Sequence, residues 1–107
     1  GKIIENKDRP LSDLDLNKFN TLPYNLLDME KYIIKRKGNR EIFYISSRGC
    51  PFNCAFCSDR LVYKSRVDRD AKNVIKDIKY LIDNYKINFI SFQDDVLTLA
   101  FRKINGI

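Results

Sequence analysis

The sequence predicts an α/β fold consisting of one βαβ unit with parallel strands and the start of a further helix, preceded by an irregular linker. Three observations predict it. Glu41 to Ser46 (EIFYIS) is rich in Ile and aromatic residues and too short for a helix, so it reads as a buried strand. Asp70 to Tyr85 repeats apolar residues at helical spacing. Ile87 to Phe92 (INFISF) is a second apolar run of strand length, ending abruptly at Gln93-Asp94-Asp95. Strand, helix and strand in succession require a crossover, which makes the two strands parallel and the connection right-handed.

Taken in chain order, Gly1 to about Tyr32 has sparse apolar residues with neither period two nor period 3.6, and Pro10 and Pro23 restrict its backbone. This stretch reads as an extended linker ending in a short helix, LLDMEKY (Leu26 to Tyr32), whose Leu26, Leu27 and Met29 can dock against a neighbouring body. Lys35 to Arg40 reads as a charged turn with Gly38 and Asn39 at its tip. In the main helix Val74, Ile75, Ile78, Leu81, Ile82 and Tyr85 form the apolar stripe, with Lys, Asp and Asn opposite, and Asp70 is placed to cap the amino terminus. The chain thus divides into a linker over 1–40 and the amino-terminal part of an α/β domain over 41–107. One βαβ unit is the beginning of a larger pattern, so the chain is expected to be a piece of a longer protein, with its end at Ile107 falling inside a second helix.

The charge balance is +6 over 107 residues. That admits a polyanion such as RNA, but the lysines are scattered among Asp, Glu and Asn, a pattern more typical of a solvated surface. The polar opening GKIIENKDRP lacks a signal-peptide apolar run, and no stretch approaches the roughly 20 apolar residues of a membrane span. The expected location is cytoplasmic, with no membrane partner.

The chemistry concentrates in Ser46 to Arg60 (SSRGCPFNCAFCSDR), which holds all three cysteines, Cys50, Cys54 and Cys57, in a C-x3-C-x2-C spacing. A disulfide framework fits poorly, because the count is odd and a cytosolic chain is kept reduced. A structural zinc site wants four Cys or His ligands, and the chain has no histidine; Asp59 or a segment outside the chain could complete one. An ordinary ferredoxin-type cluster takes four thiolates, whereas three hold three irons of a 4Fe–4S cluster and leave one iron open to a ligand. In parallel α/β architectures the site lies beyond the carboxyl ends of the strands, so the cysteine loop after the first strand and Asp94-Asp95 after the second should share one rim.

Arg48-Gly49-Cys50-Pro51-Phe52-Asn53-Cys54-Ala55-Phe56-Cys57-Ser58 resembles the signature of the radical S-adenosylmethionine (radical SAM) enzymes, including the aromatic before the third cysteine. Pro10 to Asp15, Leu22-Pro23 and Leu27 to Tyr32 are similar to the connector that joins a cobalamin-binding domain to the barrel in the cobalamin-dependent subgroup, and Phe92 to Asp95 with Thr98-Leu99 resembles its second strand and exit. The resemblance implies an incomplete parallel (βα) barrel. It also implies S-adenosylmethionine as cofactor, cobalamin in a domain upstream, and an electron donor such as flavodoxin or ferredoxin. In that family the reduced cluster cleaves S-adenosylmethionine to a 5'-deoxyadenosyl radical, which abstracts hydrogen from unactivated carbon. Members are often methyltransferases or ring-forming enzymes with small-molecule substrates; methylthiotransferases and other RNA-modifying members are the alternative within the family, and a non-catalytic relic binding a cluster or zinc the alternative outside it.

By the same resemblance Cys50, Cys54 and Cys57 are the cluster ligands, Phe56 lies near the adenine, and Asp94 with Asp95 lies near the methionine ammonium, which a carboxylate suits. Plain packing for the Phe56 ring and a solvated turn for the two aspartates are the competing readings. Arg48, Arg66 and Arg69 could bind a carboxylate or screen the cluster, although scattered arginines are more often surface; Ser58 and Asn53 suit loop amides or cluster sulfurs. The family usually carries glycine between the helix and the second strand, where this chain has Tyr85-Lys86-Ile87. A lone βαβ unit leaves strand edges unpaired, so the isolated 107 residues should be marginal and aggregation-prone. A thermal melt checks this: a cooperative monomeric transition above about 60 °C would contradict it.

Overall fold

The computed structural model describes residues 1–7, 15–19, 21–63 and 65–99. Two single 3-10 turns, Tyr24–Leu26 and Met29–Lys31, lead into β1 (Ile34–Arg36) and β2 (Asn39–Tyr44), and then into β3 (Ser47–Arg48), α1 (Asp59–Val62), β4 (Val67–Asp68), α2 (Ala71–Tyr85) and β5 (Phe89–Phe92). Strands β1, β2 and β5 form one sheet in that order, and β3 pairs with β4 separately. The β2–β5 pair is parallel, with Ile42 beside Ile90 and Tyr44 beside Phe92, and α2 lies in the crossover between them.

The expected charged turn over Lys35–Arg40 is instead a hairpin. Strands β1 and β2 pair antiparallel, with Arg36 opposite Asn39, which leaves Lys37 and Gly38 as the two loop residues. Their φ angles are +49° and +80°, and positive φ at both central positions is what a type I′ hairpin turn requires. A lysine where Asn or Asp is usual hid this turn in the sequence. The expected helix over Leu26 to Tyr32 is replaced by the second 3-10 turn and its approach, and only Met29 of the three docking candidates is buried; Leu26 and Leu27 are exposed.

The core joins Met29 and Ile33 to Ile42, Tyr44, Leu81 and Ile87, so residues before β2 share the core of the βαβ unit. Burying a side chain such as Leu81 contributes about 1.5–3 kcal/mol. Helix α2 begins one residue after Asp70, whose side chain makes no capping bond; its carbonyl accepts from the amides of Asn73 (2.9 Å) and Val74 (3.0 Å). The buried stripe of α2 also differs from the expected one. Ile75 and Ile82 are exposed, and the buried positions are Asn73, Asp77 and Leu81, spaced four apart on one face.

Asp77 is fully buried and, among the described residues, takes three hydrogen bonds: from the Tyr44 hydroxyl (2.7 Å), from Arg69 Nε (2.9 Å) and from the Leu22 amide (3.2 Å). Burial, and then the bond to Asp77, push the Tyr44 phenol above its ordinary range, so Tyr44 stays a donor. Arg69 also donates to the carbonyls of Leu16 and Phe19, while Asn17 Oδ1 accepts from the Asp70 amide (2.7 Å) and Asn73 Nδ2 (3.1 Å). Described residues 15–19 and 21–22 are thereby strapped across the start of α2.

At the other end of α2, Lys86 adopts the left-handed conformation expected of glycine, φ 56° and ψ 36°. Its amide bonds to the Ile82 carbonyl (3.0 Å), the single bond of an αL cap, and the Ile87 amide reaches the Leu81 carbonyl at 3.5 Å. A side chain there costs about 1–2 kcal/mol relative to glycine. Arg40 Nε covers the freed Tyr85 carbonyl at 3.0 Å.

Residues 98–99 begin a helical turn after β5; the rest of the expected second helix, and the connector residues Pro10 to Leu14, lie outside the described residues. Removing Asp77 takes a carboxylate partner from a buried arginine, so Asp77→Ala should lower the unfolding free energy by about 3–5 kcal/mol, measured by urea denaturation. A loss below about 1 kcal/mol, the worth of an exposed pair, would show that the Arg69–Asp77 contact is not the anchor described.

Candidate metal centre

The loop that carries the thiols is an excursion between β3 and β4. Its mouth is closed by that ribbon, Ser47 opposite Asp68 and Arg48 opposite Val67. Gly49 then turns the chain with φ +80°, and a Cβ at this position would lie 2.3 Å from the Ser65 carbonyl oxygen. Only glycine permits both the backbone angle and the approach, which explains the residue immediately before Cys50.

All three thiols are free; Cys54 is exposed, and Cys50 and Cys57 are half-buried. One turn links two of them, the Cys57 amide donating to the Cys54 carbonyl at 3.1 Å. Among the described residues no group of three or more His, Cys, Asp or Glu is gathered to hold a metal ion. The donor chemistry nevertheless fits an iron–sulfur cluster: three unpaired sulfurs on one short loop, with no histidine to compete. Phe56 is 94% exposed and packs into no core among the described residues. Phe52 is also exposed, and α1, which the sequence reading missed, follows Ser58 without a side-chain capping bond from it.

The structure brings Asp94 to the start of this loop. Its carboxylate accepts from the Ser46 amide (3.0 and 3.1 Å), the Ser46 hydroxyl (2.9 Å) and the Ser47 hydroxyl. The solvated-turn reading therefore fails for Asp94, which is partly buried; Asp95 is exposed. Ser46 and Ser47, both buried, are site residues that the sequence reading passed over. Two adjacent hydroxyls just before a glycine-cysteine turn were the available signal.

Two of the three arginines are not surface residues. Arg69 is spent on Asp77 and the strap, and the Arg66 side chain is 6% exposed, with Nε on Asp68 (2.6 Å) and Nη1 on the Val96 carbonyl (2.5 Å). Arg66 Nη2 is buried and finds no hydrogen-bond partner among the described residues. Arg48 is exposed.

Gly49→Ala should displace the ribbon or the backbone at Ser65, and the strained φ alone costs about 1–2 kcal/mol. The expected result is a lower melting temperature together with faster proteolysis within 49–65; an unchanged melt and cleavage pattern would mean that the loop has another way to pass Ser65.

No protein-family model matches the chain, and no solved structure matches it. The chain is 37% identical over 100 residues to an uncharacterized methyltransferase of Pyrococcus horikoshii, an alignment covering 92% of this chain and 21% of that protein. It is 31% identical over 104 residues to the anaerobic magnesium-protoporphyrin IX monomethyl ester cyclase of Rubrivivax gelatinosus, covering 96% of this chain and 18% of the cyclase. The cyclase of the same name from Cereibacter sphaeroides is 29% identical over 80 residues, covering 75% of this chain and 13% of the cyclase. The chain spans about a fifth or less of the length of the curated relatives it matches, and over that length it is similar to proteins that carry enzyme names, a methyltransferase and two cyclases.

Proposed function

We propose that this chain is the cluster-binding segment of a radical SAM enzyme, in which Cys50, Cys54 and Cys57 hold three irons of a 4Fe–4S cluster. The observation that carries the reading is the loop itself: three free thiols in a C-x3-C-x2-C spacing, immediately beyond the first strand of a parallel βαβ unit. The relatives' names support it from a second side. Methyl transfer and ring closure are the two reaction types that the resemblance of the cysteine loop and connector implies, and both occur among those names. The same names favour a methyltransferase or cyclase over an RNA-modifying enzyme.

When bound, the cluster supplies the electron that opens the sulfonium of S-adenosylmethionine. The residues of this chain provide the setting. The thiolates fix the cluster; the exposed Phe56 ring offers an apolar face for an adenine to stack on; and the exposed Asp95 carboxylate is the freer of the two partners for the methionine ammonium, since Asp94 is largely committed to Ser46 and Ser47. The partial barrel, a cobalamin domain upstream, a small-molecule substrate and a flavodoxin or ferredoxin donor complete the proposal for the whole enzyme. Among the described residues, no helix is long and apolar enough to cross a membrane.

Anaerobic reconstitution with iron and sulfide tests the reading. A brown species with cluster absorption should form and be absent from Cys54→Ala, and dithionite with S-adenosylmethionine should yield 5'-deoxyadenosine from the full-length enzyme. Stoichiometric zinc in tetrahedral sulfur coordination, with no iron uptake, would sink it.

A further inference from the structure

We infer that Asp94 and Arg66 are positioning residues that fasten the two limbs of the cysteine loop to the exit of β5. The inference rests on the cluster reading for its purpose but on separate contacts for its geometry. The upstream limb is held where Asp94 accepts the Ser46 amide and the hydroxyls of Ser46 and Ser47. The downstream limb is held where Arg66, fixed by Asp68 of β4, donates Nη1 to the carbonyl of Val96, two residues beyond Asp94. A backbone bond closes the frame, the Arg69 amide donating to the Ser46 carbonyl at 2.8 Å.

None of the described apolar side chains of the loop does this work. No described residue of 49–65 belongs to the hydrophobic core, and Phe52, Phe56, Leu61 and Val62 are all exposed. The excursion is attached by a ribbon of two residue pairs and by these polar contacts. Hydrogen bonds to a charged group are the stronger kind, and they lie at the two points where the loop leaves the sheet. The register of the thiols therefore depends on β5 being in place, and the end of β5 is where the second half of the site begins.

The contacts can be read without the metal. In the reduced, metal-free full-length protein, iodoacetamide should alkylate the half-buried Cys50 and Cys57 more slowly than the exposed Cys54. Asp94→Ala and Arg66→Met should each raise the Cys50 and Cys57 rates about tenfold, the scale set by a lost charge-assisted hydrogen bond, with the main melting transition unchanged. Asp94→Asn keeps the oxygen that accepts from Ser46 and Ser47 and should restore most of the protection. After reconstitution the same two variants should release iron to a chelator faster than the wild type.

Alkylation rates equal to wild type in both variants would overturn the inference, whether or not iron binds. Faster alkylation in a protein that never takes up iron would uphold the clasp and overturn the cluster reading instead. Should Asp94→Ala fail to fold, Arg66→Met and Asp94→Asn decide by the same rates.

Discussion

A carboxylate buried in the middle of α2 sets the terms for the rest of the molecule. Asp77 faces the sheet from a position that helical packing would normally give to an aliphatic residue, and it is satisfied only because three distant segments bring it donors: β2 through Tyr44, the approach to α2 through Arg69, and the linker through Leu22. A buried ion pair is weak evidence for net stability, since desolvation offsets much of the attraction, but losing one partner is expensive. That asymmetry gives the arrangement its selectivity. An aliphatic core would tolerate small slips of the linker, whereas a buried charge tolerates only the register in which all its donors arrive.

The strands and the helix were legible because burial of an alternating or helical apolar pattern is a local property of the sequence. Strand β2, helix α2 and strand β5 fall where EIFYIS, the Asp70 to Tyr85 stripe and INFISF place them, with ends moved by one or two residues. What was not legible has a common cause. Strand β1 is Ile34-Lys35-Arg36, a charged edge strand that owes its existence to pairing with β2 and not to its own apolar content. The true centre of the α2 stripe is polar, and periodicity of apolar residues cannot see an aspartate whose partners lie 8, 33 and 55 residues away. Lys86 is the converse case: the family resemblance marks a glycine at this point, and the backbone takes the glycine-type angle with a lysine.

The candidate site was legible in its chemistry and less so in its construction. The spacing of Cys50, Cys54 and Cys57 says which atoms are offered; it does not say that Gly49 must slip past Ser65 or that Ser46 and Ser47 reach across to Asp94. Arg66 and Arg69 looked like surface cations because arginines usually are, yet both are buried as guanidinium forks joining backbone carbonyls of other segments to nearby carboxylates. Such roles depend on contacts between residues far apart in sequence, and single-chain pattern reading carries no information about them.

The hairpin gives the sheet a direction of growth. On one side β1 ends it with Lys35 and Arg36, Lys35 paired to Glu30 at 2.9 Å, and charged side chains of this kind discourage another strand from joining. On the other side the outer edge of β5 has no strand against it among the described residues. Growth of the sheet is thus discouraged at β1, and a strand added beside β5, whether from the same polypeptide or from a neighbouring copy, would dock next to the residues that lead into Asp94.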